Sequence, residues 1–227
     1  MIEMGLERLC KAAGTAALAG AMFVSMGSSS ANASKICQKK GGVYVNSSGS
    51  SSKHWMKEAE INGKKVVMFD SCLYAALDAA QYREFGTRRK LHPSFEHLIW
   101  SMVYVESGFN PNAVGSSGEA CQGQFMAETA KKYSINRADI VDCFAGMIRY
   151  VLETNKKLVP GCDYRGSSLI TVQSVGYNAG QGYIPRDSCQ IGANIPPGAI
   201  RHAQKVNEAW EYAFMPKAML SQGIQHR

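Results

Sequence analysis

Between Phe95 and Glu106 the chain repeats a pattern with the period of a helix. Phe95, Leu98, Ile99, Met102 and Val103 fall at i, i+3, i+4, i+7 and i+8, which is one apolar stripe turned toward a core. Pro93 suits the first turn of such a helix, where its missing N–H costs nothing. Glu106 continues the series at i+11. At roughly 100° per residue that separation is about three turns plus 20°, so the carboxyl group stands on the apolar face above Phe95. A carboxylate on such a face is costly unless it is neutralised or paired. Withdrawal from water favours the protonated form of a carboxyl, the form a proton donor needs near neutral pH. On spacing alone, a glutamate in a frayed last turn is as good a reading as a catalytic acid. The following residues alter that balance. Residues 107–113 (SGFNPNA) end the helix abruptly, a glycine-bearing loop follows over 115–123, and a further helical segment is expected over 124–133. The acid then stands at a helix end that opens into a loop, where a substrate can reach it.

Residues 1–33 read as an export signal. Arg8 and Lys11 precede a short apolar stretch, residues 12–26, and a small-residue site, Ala31-Asn32-Ala33, ends it. The stretch is shorter than the roughly 20 residues of a spanning helix; a retained membrane anchor is the alternative. Cys10 lies ahead of the apolar run, which argues against a lipoprotein. Cleavage after Ala33 leaves Cys37, Cys72, Cys121, Cys143, Cys162 and Cys189. An even set in an exported chain predicts three disulfides, with the pairing open. With no C-x-x-C pair, neither a zinc ribbon nor a redox dithiol is indicated. The expectation is a periplasmic protein without stable membrane insertion once the signal is removed.

The chain has 227 residues, 45% of them hydrophobic and 19% charged, which is enough for one sizeable core and too apolar for a disordered chain. Lys and Arg number 25 against 18 Asp and Glu, a net charge of +7. Such a surplus favours an anionic partner. Export makes nucleic acid a poor candidate for that partner and a cell-envelope polymer a better one.

Three parts are expected after the signal: a β-rich extension over 34–71, a helical body over 72–216 and a tail over 217–227. In the extension, Val43-Tyr44-Val45 is strand-like, and Asn62-Gly63 between 58–61 and 64–69 signals a two-residue hairpin. Residues 46–52 (NSSGSSS) read as a flexible loop. Cys37 and Cys72 bracket the extension and are placed to clip it to the body. Leu73, Ala76, Leu77 and Ala80 then begin the helical periodicity. The fold class is therefore mainly α with a small hairpin-containing extension. Arg83, Arg88, Arg89 and Lys90 form a basic cluster, read first as a solvated loop and second as a patch at a groove edge. His92, Glu96 and His97 do not make a metal motif, because on a helix the two histidines point about 140° apart. Trp100, Trp210 and Tyr104 are assigned to packing, and no G-x-S-x-G elbow is present.

Residues 106–113, Glu-Ser-Gly-Phe-Asn-Pro-Asn-Ala, resemble the signature of soluble lytic transglycosylases, the lysozyme-like enzymes that cut peptidoglycan. Without a gap, Glu106, Ser107, Phe109, Pro111, Ala113, Gly118, Gln124, Met126, Thr129 and Ala130 coincide with that signature. Tyr177-Asn178-Ala179-Gly180 matches the family's second motif, Y-N-A-G, and residues 195–214 resemble its final proline turn and helix. The departures are Gly115 for serine, Glu119 for alanine, Cys121 for glycine and Ala127 for proline; Gly123 is read as restoring the backbone freedom lost at Cys121.

The resemblance implies a lysozyme-like helical domain acting on peptidoglycan glycan strands without metal or cofactor. It implies Glu106 as catalytic acid and base, with Ser107, Gln124, Tyr177 and Asn178 as substrate-binding residues. It also implies non-hydrolytic cleavage of the β-1,4 bond between N-acetylmuramic acid and N-acetylglucosamine, with a 1,6-anhydro product. The small size, signal and cysteine-bearing extension resemble specialised members that serve secretion or conjugation machinery. Two alternatives stand beside this: a goose-lysozyme-type hydrolase with Glu119 directing water, and a wall-binding assembly protein whose catalysis is vestigial. For Tyr177 and Asn178 the alternative is structural, capping the core and the helix end.

Overall fold

The computed structural model describes residues 38–46, 49, 55–86, 90–164, 166–184, 189 and 194–216. The expected signal, Cys37, Arg88, Arg89, most of the 46–52 loop and the tail over 217–227 lie outside the described residues. Two short strands come first, β1 (Gln38–Lys40) and β2 (Val43–Val45), followed by β3 (Met56–Ile61) and β4 (Lys64–Phe69). The helices are α1 (Ser71–Phe85), α2 (Pro93–Ser107), α3 (Ala127–Lys132), α4 (Ile140–Lys156), α5 (Ser167–Ala179) and α6 (Pro197–Trp210). A 3-10 turn (Gln181–Tyr183) follows α5, and a last strand, β5 (Ala213–Pro216), follows α6. The fold is mainly α with small sheets.

The hairpin forms where the sequence predicts it. Asn62 and Gly63 both take positive φ, 53° and 73°, as a tight turn matched to strand twist requires. The register pairs Met56 with Phe69 and Ile61 with Lys64. Val67 and Phe69 of β4 join the same buried cluster as Leu73 and Leu77 of α1 and Leu98, Ile99 and Met102 of α2. The extension and the helical body thus share one core. β5 then pairs in parallel with β4, Val66 opposite Ala213 and Phe69 opposite Pro216. The sequence expectation extended the last helix to residue 214; the helix ends at Trp210, and the next residues close the sheet instead.

Local chemistry starts and stops the helices. The Asp70 carboxylate accepts from Cys72 N at the start of α1, and Asp139 accepts from Val141 N and Asp142 N at the start of α4. His92 Nδ1 accepts from Ser94 N at the start of α2, where Pro93 occupies the first turn. Gly108 ends α2 in the left-handed conformation. The expected segment over 124–133 is shorter in the structure, because Gln124 holds φ 48° and bridges join Ala120 to Phe125 before the helix begins at Ala127.

Cys121 pairs with Cys143, and Cys162 with Cys189. Cys72 is also disulfide-bonded, to a cysteine outside the described residues. No helix among the described residues is long and apolar enough to cross a membrane.

Candidate active site

Glu106 lies in the last turn of α2, and two consecutive left-handed residues, Gly108 (φ 57°) and Phe109 (φ 66°), swing the chain away behind it. Phe109 makes that turn firm. It is fully buried, and its ring stacks on Phe69 with centroids 4.9 Å apart. Further on, Asn112 fastens the loop to β2, accepting from Tyr44 N at 2.9 Å and donating to Tyr44 O at 2.8 Å. The phenol of Tyr44 accepts in turn from Ile140 N at the start of α4. The helix that carries the acid is therefore anchored by its own core face and by the strand extension.

In front of Glu106 is a cleft of about 420 Å³. Gly115, Ser116, Glu119, Gln124 and Met126 line it from the loop, Thr129 from α3, and Tyr177, Asn178 and Gly180 from the end of α5. The Glu106 side chain is 15% exposed, enough to meet a ligand in the cleft.

The loop wall holds itself together. Gln124 Nε2 donates to Cys121 O at 2.7 Å and to Ala113 O at 3.2 Å. Arg137 donates to Gly118 O and Phe125 O. The Glu119 carboxylate accepts from Ser117 N at 2.9 Å, and a Cβ on Gly115 would lie only 2.3 Å from Glu119 Oε2. The two departures at 115 and 119 therefore belong together: the carboxylate occupies the space that a side chain at 115 would need. At Cys121 the structure corrects the sequence reading. Cys121 itself takes the left-handed conformation at φ 66°, held by its bond to Cys143 on α4. Gly123 supplies space rather than freedom, since a Cβ there would meet the Phe125 ring and the Tyr177 hydroxyl at 2.9 Å each.

Of the five residues expected in the site, four line the cleft: Glu106, Gln124, Tyr177 and Asn178. Ser107 does not. Its hydroxyl donates back to Val103 O one turn earlier, a local bond that turns it away from the cleft. Asn178 is exposed at the cleft edge. Tyr177 both lines the cleft and ties the fold together. Its ring lines the cleft and packs against Phe125 and Tyr150, while its hydroxyl donates to Gly123 O at 2.6 Å. Loss of water contact, with the nearby Glu106 charge second, pushes its ionisation well above the ordinary tyrosine range. The phenol thus stays protonated and ties α5 to the loop.

His202 on α6 is the residue the sequence reading missed. Its Nε2 lies 2.9 Å from Glu106 Oε1, and its side chain is 10% exposed. The signal was present: His202 follows Ala199 by three positions and precedes Val206 by four, on the buried stripe of α6. The same test for polar residues on apolar helix faces that found Glu106 applies to it.

Other groups singled out by sequence have structural partners. His97 Nε2 lies 2.8 Å from Trp210 O, with its ring edge-on to Trp210, and burial lowers its pKa. Trp100 is buried in the core, and Tyr104 and Trp210 pack against it. Arg83 pairs with Asp142 and Lys90 with Asp78.

No family model matches the chain, and no curated protein matches it.

Proposed function

We propose that the protein is an exported lytic transglycosylase with a lysozyme-like fold, which cleaves peptidoglycan glycan strands. The observation that carries this reading is the meeting of Glu106, Gln124, Tyr177 and Asn178 on one cleft, although they belong to two motifs far apart in the sequence. Ordered polar groups in a cleft around one largely buried acid are the arrangement that glycosidic bond cleavage needs.

The reaction follows from that arrangement. Glu106 gives its proton to the oxygen between N-acetylmuramic acid and N-acetylglucosamine, and the sugar's own N-acetyl oxygen attacks C1 as the bond breaks. The Glu106 carboxylate then takes the proton of the C6 hydroxyl. The C6 oxygen displaces the acetamido oxygen from C1 and closes the 1,6-anhydro ring. Glu106 returns to its starting form, and no water is consumed. Three paired cysteine sets suit an oxidising periplasm, and the net positive charge suits an anionic wall polymer. Local wall opening for a secretion or conjugation apparatus is the role we assign to a chain of this size.

A second reading has its own observation. Glu119 lines the same cleft, and a second carboxylate is what a hydrolase uses to direct water. Digestion of purified peptidoglycan followed by mass spectrometry separates the readings. Anhydro-muropeptides are expected; reducing ends would support the goose-lysozyme-type hydrolase, and intact strands a wall-binding protein without catalysis.

A further inference from the structure

The contact between α6 and the catalytic acid is unusual in what it leaves open. His202 stands among Ala199, Ala203 and Val206 on the inward stripe of α6, a helix packed along both α2 and α5. Nε2 is within 2.9 Å of Glu106 Oε1 yet off hydrogen-bonding alignment, and neither ring nitrogen has a hydrogen-bond partner among the described residues. Two unpaired ring nitrogens in a buried site weaken the fold, and an apolar ring of similar size would remove that cost. In free enzymes, contacts to a catalytic acid are often poorly aligned and tighten when substrate binds.

We propose that His202 is a positioning residue for Glu106, its Nε2–H holding Oε1 so that the mobile proton is carried on Oε2. The assignment rests on the cleavage reading above. In the first step the Oε2 proton passes to the glycosidic oxygen, and the charge left on the carboxylate is met at Oε1 by Nε2–H. In the second step the C6 hydroxyl returns a proton to Oε2, and the contact at Oε1 persists. Both transfers then use one oxygen, aimed at one place in the cleft. A carboxyl free to rotate would present either oxygen.

The test compares the wild type, His202→Phe and His202→Gln as purified processed protein, by initial rates of anhydro-muropeptide release over a range of strand concentrations. His202→Phe is expected to keep or raise the melting temperature and to lower kcat on the order of 100-fold, the cost of a misplaced catalytic group. KM is expected to stay within about 2-fold, the pattern of an interaction used in the transition state. His202→Gln carries an amide N–H to a similar place and is expected to recover at least about a tenth of the wild-type kcat. Unchanged kcat in an otherwise active His202→Phe protein overturns the assignment alone. So do equal losses in both variants accompanied by a lower melting temperature, which is the mark of a packing role. A wild type that releases no anhydro-muropeptide overturns the cleavage reading, and His202's role with it.

Discussion

On the loop side of the cleft, polar groups are tied to one another. Gln124 holds two carbonyls, Arg137 two more, Glu119 the amide of Ser117, and Tyr177 reaches across to Gly123 O. The Cys121–Cys143 bond fastens that loop to α4. On the helical side, His202 has no hydrogen bond from either ring nitrogen, and on α5 both amide atoms of Gln173 and the hydroxyl of Ser174 are buried without a partner among the described residues. Each such group costs about 1–3 kcal/mol. A fold bears that cost where something other than stability selects the residue. The loop wall is therefore mostly a scaffold whose residues give shape, although Gln122 Oε1 is also buried without a partner among the described residues, while on the helical side His202 stands beside Glu106 with both ring nitrogens unpaired.

The sharpest break between the walls is at Glu106. Glu106→Gln is expected to lower cleavage by about 1,000-fold or more, the upper part of what a general acid contributes. Its melting temperature should not fall, since the shape is kept and a buried carboxyl is removed. Rates on purified peptidoglycan alongside a thermal melt check this, and full activity in the folded variant would contradict it.

The loop wall should answer in stability instead. Cys121→Ser with Cys143→Ser opens a loop of 22 residues' separation and should lower stability by about 3 kcal/mol in urea unfolding. Cys121, in the left-handed conformation, then lacks its anchor. A loss under about 1 kcal/mol would show that the loop is held mainly by its hydrogen bonds.

Tyr177 sits on the boundary between the walls and is a finer test. Tyr177→Phe leaves Gly123 O without its donor and should cost about 1–2 kcal/mol, with specific activity of folded protein close to wild type. Its raised ionisation also has a sign. The contribution is fully present below the unfolded tyrosine value of about 10 and is lost as pH rises toward the higher folded value, so the variant should lose less stability in alkali. A large fall in activity without a change in melting temperature would instead assign the hydroxyl to substrate.

The smallest effect concerns the two coupled departures in the loop. Gly115→Ala should push the Glu119 carboxylate off Ser117 N and cost about 1 kcal/mol. In a Glu119→Ala background the same change should cost less, because only the 3.0 Å approach to Gln124 Oε1 is left. Additive effects in this double-mutant cycle would mean that the two positions are independent.

Local features were legible in the sequence. The phase of α2 located Glu106, and Asn62-Gly63 located the hairpin, because each pattern is written within a few neighbouring residues. Long-range features were not. β5 has a helical neighbourhood, and its pairing with β4 joins opposite ends of the described chain, for which no local period exists. In the sequence Gly115 and Glu119 stand as two separate changes, since only the folded loop puts one in the space of the other. Ser107 matched a motif but turned to its own helix, a choice made by hydroxyl geometry that spacing does not record. His202 lies on the inward stripe of Ala199, Ala203, Val206 and Ala209, so its burial is legible in the helical phase, but its meeting with Glu106 of another helix is not.

The central claim is that Glu106 cuts glycan strands without water as a reactant. Digesting purified peptidoglycan in water enriched in heavy oxygen, then weighing the released muropeptides, tests it directly. The account predicts 1,6-anhydro ends that carry no heavy oxygen, made by the wild type and lost in Glu106→Gln. New reducing ends labelled with heavy oxygen would contradict it.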